Sequence, residues 1–304
     1  MLRFLLGRIA QALITLFIAS LVIFAGLRLS GSPADFLLPP DATPLDRQAM
    51  IERLGLDEPL FVQYVIYLGE MARGEFGTSL RNRQPVADLV WARFGNSLGL
   101  ATVALAVTVI VSVPLGVAAA VYRRRTWDKF ALSVALLGQA LPAFWTGIVA
   151  ILIFAVWLDW LPAAGIGDWT HYVLPALTIG WFTSAGIVRL LRSTMIDSLE
   201  SEYIKLARSK GLGEGAVVWK HAVRNALLPV VTFLGFMFSI MVTMSIATEV
   251  VFNWPGLGRL AYEAMRTRDF PVLQFTVIVF VGTVIVINFI VDILYVVLDP
   301  RIRT

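Results

Sequence analysis

The chain has 304 residues, of which 58% are hydrophobic and only 15% are charged. Soluble domains are about a quarter charged, so this composition excludes an ordinary soluble enzyme and indicates a polytopic membrane protein. The chain has no cysteine and only two well-separated histidines, and its net charge is +4, which argues against a disulfide framework, a metal site of its own and a nucleic-acid interface.

Apolar runs long enough to cross the membrane are the main organising feature of the sequence. Crossing about 30 Å of hydrocarbon takes about 20 helical residues. Six runs meet this requirement, at residues 9–27, 97–122, 130–157, 173–191, 226–250 and 272–298. The sequence therefore predicts an all-α membrane protein with six transmembrane helices. We interpret residues 1–29 as an uncleaved anchor, because the first run is longer than the apolar core of a signal peptide.

The basic residues of the loops predict the orientation. Most of them fall on one side, namely Arg3, Arg8, residues 123–125, Lys129, the basic residues of 192–225, Arg301 and Arg303. Since such residues stay in the cytoplasm, both termini are predicted to be cytoplasmic. Residues 30–96 then form a small external domain, and residues 97–304 form a five-helix core. The run at 123–125 could also bind anionic lipid or nucleic acid, but a topology anchor is the simpler interpretation.

The cytoplasmic loop at residues 192–225 predicts two short helices joined by a glycine turn. Ser201 can cap the first helix, Gly211 can adopt the positive φ of a C-terminal stop, and Gly213 completes the turn. The apolar side of the first helix is expected to carry Tyr203, Ile204, Leu206 and Ala207. An exposed amphipathic hairpin of this kind either lies on the lipid surface or fits a groove in a partner protein, and its periodicity leaves both possibilities open.

Several sequence motifs resemble a known transporter family. Ala207, Gly211 and the pair Leu228-Pro229 resemble the EAA loop of ABC importer permeases. Five further segments resemble the first permease subunit of dipeptide, oligopeptide and nickel importers. They are LGLDEPLFVQY at 54–64, EYIKLARSKGL, HAVRNALLPVVT, FNWPGLGRL at 252–260 and LDPRIR at 298–303. Lys205 and Leu206 replace the Glu and Ala of the general loop. The long glycine-to-proline spacing is usual in the peptide and nickel branch.

This resemblance implies a type I ABC importer permease in the bacterial inner membrane. Its expected partners are a second related permease, two cytoplasmic ATPase subunits and an external protein that delivers peptides, nickel or related small solutes. The cytoplasmic loop would insert a coupling helix into an ATPase cleft, with contacts from Tyr203, Leu206, Ala207, Gly211, Leu212 and Gly213. Because the chain has no G-x-x-x-x-G-K-[ST] loop, ATP and Mg²⁺ are expected on the ATPase subunits, and the chain itself is predicted to be neither an enzyme nor the holder of a cofactor.

Polar and flexible residues within the spans are further candidates. Asn288 and Asp292 lie one turn apart in the sixth span, where a polar contact to a neighbouring helix is favoured over a proton site. Met237, Met241 and Met244 share one face of the fifth span and could form a gate, although ordinary helix packing explains them equally well. Gln139 and Pro142 predict a kink in the third span, and we place Gln139 on the translocation path.

Two other classes of membrane protein have less support. A proton- or ion-coupled secondary transporter would need inverted repeats, broken helices and buried titratable pairs, and the sequence offers only Asp292. An intramembrane enzyme would need a nucleophile and a base, which two histidines in loops do not supply. The sequence therefore favours the importer permease.

Overall fold

The computed structural model describes residues 2–29, 43–53 and 55–298. Its helices are α1 Leu2–Leu29, α2 Pro44–Arg53, α3 Leu60–Ala72, α4 Val86–Val121, α5 Thr126–Ala140, α6 Ala143–Ala150, α7 Thr170–Leu199, α8 Glu202–Ser209, α9 Glu214–Ala216, α10 Val223–Val251, α11 Leu257–Thr267 and α12 Phe270–Leu298. Two π-helical segments, Ile151–Trp157 and Val217–Ala222, continue α6 and join α9 to α10. The predicted all-α architecture is confirmed. Residues 30–42 of the predicted external domain and residues 299–303 of the C-terminal motif lie outside the described residues.

Within the described residues, five helices are long and apolar enough to cross a membrane. They are Leu6–Leu29, Val86–Val121, Thr170–Leu199, Glu214–Val251 and Phe270–Ile293. A sixth crossing is available if Thr126–Ala140 and Ala143–Trp157 form one span, but these two helices meet at a bend of 103°. Five of the predicted spans are thus single helices, and the third is a broken pair.

The break in the third span has a local cause at Leu141 and Pro142. Both residues have extended backbone, with ψ values of 140° and 133°. Proline lacks an N–H group and disfavours helical geometry in the residue before it, so α5 ends at Ala140. The Pro142 carbonyl accepts hydrogen bonds from the N–H and Oγ1 of Thr146, at 3.1 and 2.9 Å, which starts α6. The predicted kink is therefore a break between two helices that meet at 103°.

Two helix boundaries differ from the sequence-based expectation. α4 begins at Val86, whereas the apolar run predicted a start at residue 97. The charged residues Asp88 and Arg93 lowered the hydropathy of this first part of the helix without interrupting it. The second helix predicted for the cytoplasmic loop is continuous with the fifth span, because Glu214–Val251 forms one helix with a π-helical segment near its start.

The chain divides into two compact units, Met1–Gly95 with Gly256–Ile285 and Asn96–Pro255 with Val286–Thr304. In the first unit, Tyr64 of α3 packs between Phe17 and Phe24 of α1, and its hydroxyl lies 2.8 Å from the Ser20 hydroxyl. A buried carboxylate at Asp269 accepts hydrogen bonds from the Ser79 hydroxyl and the Leu80 N–H. These contacts tie together segments that are far apart in the sequence.

The second unit is built around α7. Ile187, Leu191 and Met195 of this helix are fully buried, and they pack against α8, α10 and the π-helical segment between α9 and α10. Arg192 of α7 forms a two-bonded ion pair with Asp128 of α5, at 2.7 and 2.8 Å. This pair fixes the start of α5 against the C-terminal part of α7.

Close packing between α5 and α7 predicts the effect of adding one methyl group. A Cβ atom at Gly138 would lie 2.6 Å from the Trp181 ring and 2.7 Å from the Trp181 carbonyl oxygen. Since a backbone atom cannot move aside cheaply, Gly138→Ala should destabilise the protein by about 1–3 kcal/mol. The measurement is the midpoint of thermal unfolding in lipid nanodiscs, followed by tryptophan fluorescence.

Gly282→Ala is the matched control for Gly138→Ala. Gly282 is also helical, but a Cβ atom there meets nothing within 4 Å. Because alanine is a better helix former than glycine, this variant should be neutral or slightly stabilised, by up to about 1 kcal/mol. Equal midpoints for the two variants would contradict the packing argument.

Candidate functional site

Helix α8, Glu202–Ser209, begins at Ser201 without a side-chain cap. Ser201 occupies the N-cap position with extended backbone, and its carbonyl accepts hydrogen bonds from the N–H groups of Ile204 and Lys205, both at 3.2 Å. Its hydroxyl donates backwards to the Ser198 carbonyl. The expectation that the Ser201 side chain caps the helix is therefore wrong, because the hydroxyl is used to tie α8 to the end of α7.

The end of α8 is fixed by Gly211, as the sequence predicted. Gly211 has a φ of +78°. Its N–H donates to the Arg208 carbonyl at 2.9 Å, and the Leu212 N–H donates to the Ala207 carbonyl at 3.4 Å. These two bonds form a Schellman C-cap, which requires a left-handed residue at this position. Gly213 has an ordinary φ of −66° at the start of α9.

The two sides of α8 have different surroundings. Ile204 and Ala207 are buried, with exposed fractions of 0% and 7%, in the cluster that also contains Leu191 and Met195. Tyr203, Leu206 and Leu212 are 41%, 56% and 42% exposed, and we call these three residues the outward ridge. The apolar residues that the sequence placed on one side of the helix are thus divided into a buried set and an exposed set. Ala207 supports the ridge from beneath, and a direct contact between Ala207 and a partner stays a prediction.

Polar contacts hold the outward ridge in place. The Tyr203 hydroxyl lies 2.5 Å from the Ser198 hydroxyl. Burial of the ring raises the pKa of Tyr203, but hydrogen bonds with Ser198, Asn225 and Ser201 outweigh this and bring the pKa below its ordinary value of 10.0. At the other end of α8, the Arg208 guanidinium donates twice to Glu214, at 2.7 and 3.1 Å. The ridge is therefore an apolar surface on a rigid support.

The three methionines of the predicted gate have unequal burial. Met241 is fully buried in a cluster with Leu100, Ile179 and Trp254 of the same chain. Met237 and Met244 are only partly buried. Ordinary packing therefore explains Met241, and a gate role stays a prediction for the other two methionines.

Two of the predicted polar residues of the spans, Asn288 and Gln139, make contacts between helices. The Ser239 hydroxyl of α10 donates to the Asn288 side-chain oxygen of α12 at 2.9 Å. Asp292 is partly buried one turn further along α12. Gln139 is exposed on the surface of the chain, and its side-chain oxygen accepts a hydrogen bond from Arg189 at 3.1 Å. Arg189 was not among the candidates selected from the sequence.

A second residue that was not selected from the sequence is Glu249. It is fully buried. It accepts hydrogen bonds from the hydroxyls of Ser97 at 2.6 Å and Ser245 at 3.1 Å. The spacing of Ser245 and Glu249, four residues apart on a helix, was the available signal. Next to it, the Trp254 ring N–H donates to the Asn96 carbonyl at 3.1 Å.

Two family models match nearly all of the chain. Residues 112–304 match the model described as "Binding-protein-dependent transport system inner membrane component", and residues 1–101 match the N-terminal model of the same transport systems. The glutathione transport system permease protein GsiC of Escherichia coli K12 is 40% identical over 304 residues, covering 100% of this chain and 99% of GsiC. GsiC of Shigella boydii serotype 4 is 39% identical over the same length.

Solved structures share the fold at low sequence identity. A chain of the inward-facing MetNI methionine ABC transporter aligns with a TM-score of 0.61 and 16% identity, covering 71% of this chain and 98% of that chain. A chain of an amino acid ABC transporter solved with histidines aligns with a TM-score of 0.54 and 14% identity, covering 69% and 94%. The predicted type I importer permease fold is confirmed.

Function at the level of the family follows from these matches. In such importers the permeases are transport components, and ATP is hydrolysed by separate subunits. The apolar helices agree with a multi-pass protein of the inner membrane. A secondary transporter is not favoured, because the matched family depends on a binding protein. The chain belongs to the family of binding-protein-dependent transport system inner membrane components, as the permease subunit of an ABC importer.

Proposed function

We propose that this chain and a second, related permease form the translocation path of an ATP-driven importer for peptides or similar small polar solutes. A relative with 40% identity over the full length is named for glutathione, which is a short peptide. The resemblance to peptide and nickel permeases agrees with this cargo class. A zwitterionic peptide cannot cross hydrocarbon unaided, because burying unpaired charge is very costly, so the path must replace its solvation.

The outward ridge is the observation that carries this proposal. Tyr203, Leu206 and Leu212 expose apolar surface on a helix that is packed firmly against α7 and α10. A groove in a cytoplasmic ATPase subunit is the partner that this surface fits. Two such subunits, which bind ATP and Mg²⁺, would move the ridge when they close. The rigid support beneath it would pass this movement to the membrane helices.

The membrane orientation and the external partner complete the proposal. The basic residues at 123–125 and in the loop at 192–225 support an orientation with both chain termini in the cytoplasm. Residues 30–96 then face outwards and form the platform on which the external binding protein docks. The acid-rich composition of this segment would make docking sensitive to salt.

Substitution of the two loop glycines tests whether the geometry of the ridge matters. Neither Gly211 nor Gly213 has an atom within 4 Å of an added Cβ, so alanine causes no clash at either position. Only Gly211 has a positive φ, and Gly211→Ala should penalise its conformation by roughly 1–2 kcal/mol. We expect this variant to lose most of the ATP hydrolysis that the loaded binding protein stimulates in the reconstituted importer.

Gly213→Ala is the control, and it should retain stimulation close to that of the wild type. The two variants differ in backbone conformation and not in the space available, so the comparison isolates the C-cap. Equal stimulation in both variants would show that the C-cap does not orient the coupling surface.

Substitutions on the two sides of α8 separate the ridge from its support. Leu206→Glu places a charge on a residue that is 56% exposed, so it should leave thermal stability unchanged and abolish co-purification of the ATPase subunits. Ala207→Trp inserts a large side chain into a buried site, so it should lower the unfolding temperature of the permease itself. Lys205→Ala, at an exposed neighbour paired with Glu202, should change neither property.

Thermal unfolding and co-purification are measured on the same preparations of these variants. If Leu206→Glu keeps its ATPase subunits at full stoichiometry, the ridge is a surface that lies on lipid and the ATPase groove is not its partner.

A further inference from the structure

Arg189 and Gln139 form a polar pair on the exposed surface of the membrane-spanning region. Arg189 belongs to the span Thr170–Leu199, and Gln139 lies at the end of α5, one residue before the break. Both side chains are exposed on the chain, and an Arg189 Nη2 donates to the Gln139 side-chain oxygen at 3.1 Å. A charged group in this setting marks either a protein interface or a water-filled passage, because lipid does not accommodate it.

The direction of the Arg189 side chain is unusual for an arginine close to the membrane surface. The ion pair between Arg192 and Asp128 fixes a common level at the cytoplasmic ends of α7 and α5. From this level, Arg189 is about 4.5 Å deeper along its helix and Gln139 about 16 Å deeper along its own, at a rise of 1.5 Å per residue. The guanidinium therefore points into the membrane, whereas an arginine in contact with lipid turns towards the nearest surface.

Other exposed residues continue this polar character along α7. Ser193 and Asp197 follow Arg189 at steps of four residues and are also exposed, so the three share one face of the helix. The opposite side of α7 is buried in the core of the unit, as Ile187 and Leu191 show. Ser193 and Asp197 lie at and beyond the level of Arg192, so this polar stripe leads from the cytoplasmic side up to the pair of Arg189 and Gln139.

The chemistry of the pair leaves the positive charge available. Gln139 is neutral, so its oxygen orients the guanidinium without cancelling its charge. Asp197, the acidic residue of the stripe, is eight residues and about 12 Å away along the helix. A guanidinium has five N–H donors arranged to bind a carboxylate through two parallel bonds, and Gln139 uses only part of this capacity.

We propose that Arg189, oriented by Gln139, binds the carboxylate groups of cargo during passage through the membrane. This inference rests on the proposed function, because it assumes that the polar stripe of α7 faces the translocation path. Such a site would give the permease its own preference for cargo with a carboxylate, in addition to the selection by the external binding protein. Cargo with a free carboxylate gains a contact at this site, and cargo without one does not.

The test uses the complete importer, with both permeases, the ATPase subunits and the binding protein, in vesicles of phosphatidylcholine. ATP-dependent uptake is measured for trialanine, which has a free carboxylate, and for trialanine amide, which has none. Arg189→Gln removes the charge, and Arg189→Lys keeps it. Arg125→Gln removes a charge from an exposed cytoplasmic loop residue and is the matched control. For each cargo, the uptake by a variant is divided by the uptake by the wild type. This ratio removes any preference of the binding protein for one cargo over the other.

Arg189→Gln should reduce trialanine uptake about tenfold, the size expected for the loss of a charged hydrogen bond, and reduce trialanine amide uptake much less. ATP hydrolysis stimulated by the binding protein should persist. Arg189→Lys and Arg125→Gln should retain most trialanine uptake. Gln139→Glu should reproduce the effect of Arg189→Gln, because its carboxylate would occupy the guanidinium in place of cargo, whereas Gln139→Leu should not.

Equal loss of both cargoes in Arg189→Gln, or no loss of either, would overturn the assignment of Arg189. An effect that depends on added phosphatidylglycerol and not on the cargo charge would also overturn it, since the partner would then be a lipid headgroup. A wild-type importer that accumulates neither cargo counts against the proposed peptide cargo class and removes this inference with it. A working wild type without discrimination in the variants removes the Arg189 inference alone.

Discussion

The ion pair between Arg192 and Asp128 is the contact on which the second unit depends. Asp128 is almost fully buried, and besides the two bonds from Arg192 it accepts the Arg124 N–H at 2.8 Å. Removing one member of such a pair leaves the other charge buried, at a typical cost of about 3–5 kcal/mol. The pair aligns α5 with α7, and α7 carries the core against which α8 packs. The geometry of the outward ridge and the depth of Arg189 both follow from this one alignment.

Local chemistry predicted the features that depend on neighbouring residues alone. The apolar runs identified the spans, Pro142 predicted the change of direction in the third span, and Gly211 predicted a left-handed C-cap, which the structure confirms. These features are decided within one helix or turn, where proline and glycine act directly on the backbone. The all-α membrane fold could therefore be reached from these features, and the family from the motifs that resemble importer permeases.

Features that depend on distant partners could not be reached in the same way. Helix α8 has only eight residues with apolar side chains on two sides, so the sequence could not separate the buried Ala207 from the exposed Leu206. Glu249 is buried because Ser97, far away in the sequence, supplies a hydroxyl to it. Arg189 turns towards Gln139, which lies on another helix. In each case the deciding group belongs to a separate segment.

The bend in the third span has a consequence for the surrounding bilayer. Each arm of the pair, Thr126–Ala140 and Ala143–Trp157, has 15 residues. Two arms of about 22 Å that turn by 103° separate their outer ends by about 28 Å, and the two extended residues between the arms add up to about 7 Å, so the pair can span the roughly 30 Å of hydrocarbon. Trp157, Trp160 and Trp169 are all exposed at the far end, where tryptophan anchors a chain at the headgroup level. The bent pair therefore uses two arms of 15 residues for a distance that about 20 residues of straight helix would cover, and its arms occupy more area in the plane of the bilayer than a straight span does.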